Sequence, residues 1–277
     1  MRTLMAATLF TAGMLGNAWA EDAKDLADKA IAAANAGKLK DALELAEQAT
    51  KADPKSPLGP YVAGMIHMGQ REQDKAITAF DEAIRRDPSF EKAYDRRGDA
   101  KLKSGQFAES IKDFDVFLKT NPKFEPEHWR RGIALYYAGR YADGVKQFDI
   151  HRTVNPEDVE NSAWHYLCNV KANGKEKAMK DLIPVTKDAR VPMAQVLELF
   201  AGKQKPQDVI DAAEKNGLTG SRLTSARFYA NLYVALYYAG DGSDAKMKEH
   251  LTAAVEKYRV PDYMWDVADA HLKSLKK

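Results

Sequence analysis

The sequence predicts an all-α protein, a right-handed α-solenoid of stacked helix-turn-helix units followed by a diverged helical C-terminal half. Three observations carry that prediction. Prolines fall at 54, 88, 122 and 156, each 34 residues after the last, and each follows Asp53, Asp87, Asn121 or Asn155. Because 11 of 277 residues are proline, such a series at one spacing is not chance. Small and aromatic residues keep the same beat: Gly64, Gly98 and Gly132; Phe80, Phe114 and Phe148; Ala42, Ala76, Ser110 and Gly144. Between the prolines the apolar residues recur at three- and four-residue steps, as in Ala76, Ile77, Phe80, Ala83 and Ile84, which is the signature of one buried helix face.

The first 20 residues stand apart from this pattern. Arg2 precedes an uncharged stretch from Leu4 to Gly16, and the small residues Ala18 and Ala20 frame a cleavage site before Glu21. Its apolar part is shorter than the ~20 residues that span a bilayer. A secretory signal cleaved after Ala20 is therefore expected, giving a periplasmic or secreted protein with no membrane span. No cysteine stands near the cleavage point to carry a lipid.

Four units follow, at 23–56, 57–90, 91–124 and 125–158. Each is expected to hold two helices, with Gly37, Gly105 and Gly139 marking the turn between them and Arg71 replacing the glycine in the second unit. The second helix of each unit ends where Asp-Pro or Asn-Pro disfavours further helix. The residues Tyr94, Gly98, Ser110, Phe114 and Pro122, with Gly64, Ala76, Phe80, Ala83 and Pro88 before them, resemble the tetratricopeptide repeat. The first unit departs, carrying Ala30 and Ala46 where its successors carry Gly and Phe, as terminal repeats commonly do.

From 159 to 277 the proline beat stops. Ser162 to Leu182 is predicted helical with a break at Asn173-Gly174, Met193 to Phe200 is a short amphipathic helix, and Asn216-Gly217 with Gly220 forms a turn. A last repeat-like helix pair near 225–260 surrounds Gly240-Asp241-Gly242, and a C-terminal helix runs through His271. The run Arg130 to Arg140, the divergent middle, and Phe228-Tyr229 to Tyr238 resemble the NlpI-type group of bacterial envelope repeat proteins. That resemblance implies a dimeric, lipid-anchored adaptor that brings a protease to cell-wall hydrolases; this chain departs from it in lacking the lipidation cysteine.

The charge balance, 42 Lys+Arg against 40 Asp+Glu, excludes a general nucleic-acid binder. The single cysteine, Cys168, excludes an internal disulfide, and the six histidines lack metal-ligand spacing, so neither metal nor cofactor is expected. His165 and Cys168 share a helix face, the minimum for a thiolate and a base, but Trp164, Tyr166 and Leu167 around them favour a structural pair. Asp113 and Asp115 read as a solvated helix face. A non-enzymatic adaptor or scaffold is thus the leading expectation; the alternative is a ligand sensor or enzyme with its site in 159–225.

Recognition is expected on the first helices, which in stacked pairs line a concave surface with one rung per unit. Tyr61, Met65 and Met68 form the first rung, Asp95 and Asp99 the next, and Trp129, Ile133 and Tyr136 the third, with Arg96 and Arg130 repeating 34 apart. Apolar adaptable side chains beside arginines suit protein or peptide partners. Some tetratricopeptide repeat proteins clamp a chaperone's C-terminal carboxylate with Lys, Asn and Arg; Lys92 and Arg96 match that pattern, but Ala27, Ile31 and Val62 do not. The leader makes one measurable prediction: protein isolated from its native compartment begins at Glu21, and N-terminal sequencing that finds Met1 or Arg2 overturns the assignment.

Overall fold

The structure, a computed structural model, describes residues 12–215 and 217–276, with side chains from Asp22 onward. The predicted leader falls largely outside the described residues. All regular elements described are helical, and none of these helices is long and apolar enough to cross a membrane. The chain divides into two compact units, one through Ala100 and one from Lys101, with the division inside α5.

The unit through Ala100 contains α1 (Ala12–Asn35), α2 (Leu39–Ala52), α3 (Leu58–Gly69), α4 (Gln73–Arg86) and the start of α5 (Glu91–Lys103). The first pair closes on alanines: Ala27, Ala30, Ala42, Ala46 and Ala49 are buried together with Val62 and Ile66 of α3. In the next pair Gly64 lies flat against the Phe80 ring, and a Cβ there would stand 2.6 Å from the ring. Arg71, in the turn after α3, takes φ 59°, the left-handed region that Gly37, Gly105 and Gly139 occupy at φ 75–81° in the equivalent turns. Glycine enters that region without a Cβ penalty, whereas arginine is strained there.

The unit from Lys101 begins with α6 (Phe107–Thr120), a 3-10 turn (Pro122–Glu127), α7 (Trp129–Tyr137) and α8 (Tyr141–His151). Gly132 meets Phe148 as Gly64 meets Phe80, again at 2.6 Å from a notional Cβ. The diverged segment is a layer of further helices: α9 (Val159–Asn173), α10 (Lys175–Lys180), α11 (Met193–Phe200), α12 (Pro206–Glu214), α13 (Gly220–Asp241), α14 (Asp244–Thr252), a π turn (Ala253–Lys257) and α15 (Tyr263–Ser274). The break between α9 and α10 falls at Gly174, with φ 90°, and α13 ends at Gly242 in the left-handed region. One apolar core joins the repeats to the diverged helices, running from Leu102, Phe114 and Phe148 through Trp164 and Leu167 to Phe228, Leu236 and Val267.

Charges also repeat. Arg97 reaches Asp81 at 2.6 Å and Arg131 reaches Asp115 at 2.7 Å, so the second arginine of each Arg-Arg-Gly ties a first helix to the preceding second helix. Asp113 corrects its sequence reading. It is buried and paired with Lys101 at 2.8 Å rather than solvated. Phe114, fully buried, meets the His128 ring edge-on with centroids 4.5 Å apart. Phe114→Ala should therefore cost about 3–5 kcal/mol in denaturant melts; a loss below about 1 kcal/mol would show that this ring does not hold its unit to the next.

Candidate functional site

The predicted ladder separates into an open part and a covered part. On α3, Met65 is 36% exposed, while Tyr61 and Met68 are half-buried against the Phe80 cluster. Tyr61 also sets its ring edge-on to Phe90 at 5.1 Å, which draws it closer to the core than a free groove wall would be. On α5, Asp95 and Asp99 are buried at 8% and 3% exposure, and half-buried Arg96 lies 3.9 Å from Asp95. These acids are thus part of the packed interior and present little surface.

The third rung departs furthest from expectation. Ile133 and Tyr136 are buried, and Trp129 is half-buried under the protein's own C-terminal helix. Tyr263 at the start of α15 meets Trp129 edge-on at 4.8 Å, and His271 at its other end meets Tyr137 at 5.0 Å. The Tyr136 ring also packs edge-on against Trp164 of α9 at 5.4 Å, and burial pushes its phenol well above the ordinary range. Arg130 spreads over the Phe114 ring at 5.6 Å. A partner is not needed to explain the apolar character of this rung. Helix α15 supplies the cover, held by the Asp262 carboxylate accepting from the Met264 N–H at 2.8 Å and by the Trp265 indole donating to the Val255 carbonyl at 3.1 Å.

Where α15 crosses the ends of α7 and α9, a cleft of about 270 Å³ remains. Trp129, Trp164, Tyr229 and Tyr263 give it aromatic walls, and Asp158, Glu160, Asp262 and Arg190 charge them. Arg190 comes from the loop after α10 and clasps the start of α9: Nη2 donates to Asp158 and Asp188, both at 2.6 Å, and Nη1 to Glu160 at 2.5 Å. Asp158 accepts from the Glu160 N–H and Asp188 from the Val159 N–H, so the acids also cap α9, where negative charge suits the helix dipole. The Tyr233 hydroxyl donates to Glu160 at 2.7 Å.

One guanidinium thus faces three carboxylates, and they do not titrate alike. Burial pushes Glu160 up to about 7, against the opposing influences of the Tyr233 hydrogen bond and the Arg190 charge. Asp188 is held below its ordinary range because its hydrogen bonds with Arg190 and Val159 together outweigh its burial. The deepest carboxyl therefore keeps its proton longest. Sequence reasoning missed these residues because no spacing links them.

The His165 and Cys168 pair does not form a catalytic couple. Burial raises the Cys168 thiol far above its usual range, and its sulfur fills the space beside Gly144. His165 is buried with Nε2 3.6 Å from Asp149, and burial pushes its pKa down. Trp164 and Leu167 continue the apolar core on either side of it. Among the described residues no group of three or more His, Cys, Asp or Glu side chains is placed to hold a metal.

Residues 27–89 and 96–153 match the tetratricopeptide repeat model. A tetratricopeptide repeat protein from Parabacteroides merdae ATCC 43184 superimposes with a TM-score of 0.59 at 16% identity, over 93% of this chain and all of that one. The fold is the tetratricopeptide-repeat fold. YrrB, described as a tetratricopeptide repeat protein with an unusual peptide-binding site, aligns with a TM-score of 0.57 at 19% identity, over 72% of this chain and 100% of its own. PilW, a type IV pilus biogenesis factor, aligns with a TM-score of 0.52 at 15% identity, over 92% of this chain and 98% of its own. No curated protein sequence matches the chain.

The Glu160 proton gives a pH prediction. A carboxyl whose folded pKa lies above its unfolded value stabilises the fold fully below the unfolded value and loses that contribution as pH rises through the folded one. Wild type should therefore lose stability between about pH 4.5 and 7 from this group, by on the order of 3 kcal/mol, while Glu160→Gln, which mimics the neutral acid, lacks that component. Parallel melting temperature profiles of the two proteins across this window would remove Glu160 as the titrating group.

Proposed function

We propose that the protein is a non-enzymatic adaptor of the bacterial cell envelope that binds partner proteins or peptides on the first-helix face of its repeats. The carrying observation is the exposed Met65 on α3, flanked by half-buried Tyr61 and Met68. Flexible methionine beside an aromatic ring is an adaptable apolar contact surface. The equivalent face on α7 is already covered by α15, so the open rung on α3 is where an outside chain docks, with Arg96 available to a carboxylate. The tetratricopeptide-repeat fold supports an interaction role, as does likeness to a solved protein described by its peptide-binding site.

The predicted leader and the NlpI-type resemblance support placement in the envelope, a homodimeric state, and proteases or cell-wall hydrolases as partners. A photo-crosslinking residue at position 65 tests the docking face directly. We expect a discrete adduct with an envelope protein from position 65, and none from the exposed position of Lys75 on α4. Matching adducts from both positions, or none from position 65 in intact cells, would sink the reading.

A further inference from the structure

The cleft beneath α15 has chemistry that the adaptor reading leaves unused. Asp158, Glu160 and Asp262 face it against one Arg190, whose guanidinium is already engaged with Asp158, Glu160 and Asp188. The Tyr229 hydroxyl hydrogen-bonds Asp262, keeping that carboxylate at the wall. Aromatic faces alternate with these acids, and aromatic rings beside negative charge attract cations.

Two further wall residues each keep a buried polar atom without a hydrogen-bond partner among the described residues: His151 Nε2 and Trp164 Nε1, in side chains 4% and 1% exposed. His151 Nδ1 lies 2.6 Å from the Pro126 carbonyl, so Nδ1 carries the proton and Nε2 of the neutral ring is an acceptor. An indole N–H only donates. Buried polar groups are ordinarily satisfied, so an occupant that gives a hydrogen bond to His151 and takes one from Trp164 completes the site. We infer that the cleft binds a small organic cation with N–H donors beside an oxygen acceptor: an ammonium next to a carbonyl or hydroxyl, free or at the amino terminus of a peptide. The volume suits this, being about nine times one water's share of ~30 Å³. A quaternary ammonium has no N–H for His151 and is rejected.

The test follows the Trp164 indole resonance in the ¹⁵N-labelled full chain, assigned with Trp164→Phe. Probes are glycinamide, triglycine amide, the neutral N-acetylglycinamide, and tetramethylammonium. Glycinamide or triglycine amide at millimolar concentration is expected to move the Trp164 signal, and the last two probes are not. Response to glycinamide alone identifies a free ligand; response to triglycine amide identifies a peptide terminus. Asp262→Asn retains an acceptor for the Met264 N–H and should weaken binding about tenfold, with the Trp265 indole resonance unmoved as evidence that α15 stays seated. Added sodium chloride should weaken the wild-type interaction as well, a readout that does not depend on the variant's folding. An unmoved Trp164 signal with both cations, an equal response to the acetylated probe, or salt-independent binding overturns the inference. Undiminished affinity in a correctly seated Asp262→Asn does so too.

Discussion

How closely the two helices of a repeat approach is set where a residue without a side chain meets a ring. Gly64 against Phe80 and Gly132 against Phe148 leave no room for a methyl group, and Gly144 admits the Cys168 sulfur in the same manner one helix later. Packed helix axes sit ~8–10 Å apart depending on the side chains between them. A glycine on one helix and a phenylalanine on the other let the ring lie under the backbone, and both rings are fully buried as a result. In the first pair alanines do this work on both helices, which explains how Ala30 and Ala46 stand at positions that are Gly and Phe in later units. The recurrence in the sequence is the trace of this contact repeated.

Such a contact is legible because it is local and periodic. Its partners lie 16 residues apart in both cases, 64 to 80 and 132 to 148, and return after 34. The turns were legible for the same reason: Gly37, Gly105 and Gly139 share the left-handed conformation, and even the exception, Arg71, adopts it. In the diverged half the breaks at Gly174 and Gly242 and the short α11 were also legible, since glycine and proline punctuate helices wherever they stand. Which face those helices bury was not, because no period carries across them.

Exposure of the ladder was the part that sequence could not supply. The rung containing Trp129, Ile133 and Tyr136 is as apolar as a partner-binding surface, yet α15 returns from more than 120 residues away to cover it. A helix that docks in cis and a helix that docks in trans require the same apolar face, so composition alone does not separate them. The acids Asp95 and Asp99 show the converse: hydrophilic by composition, they are interior by position. The cleft was equally hidden, for Trp129, Asp158, Arg190, Tyr229 and Asp262 come from five separate stretches of chain.

The cover and the cleft have one origin. Asp262 caps α15 and Tyr263 seats it on Trp129, while the same two residues form one wall of the cavity. The opposite wall is the capped start of α9, where Arg190 pulls three carboxylates together and so concentrates negative charge beside aromatic rings. A loop, a helix start and a terminal helix thus enclose a space that the repeats alone would leave open. The repeat face is therefore used once in cis, by α15 on α7. Apolar residues on that face were retained for a helix to cover, and the open rung at Met65 on α3 offers the same kind of surface with no segment of its own unit reported against it.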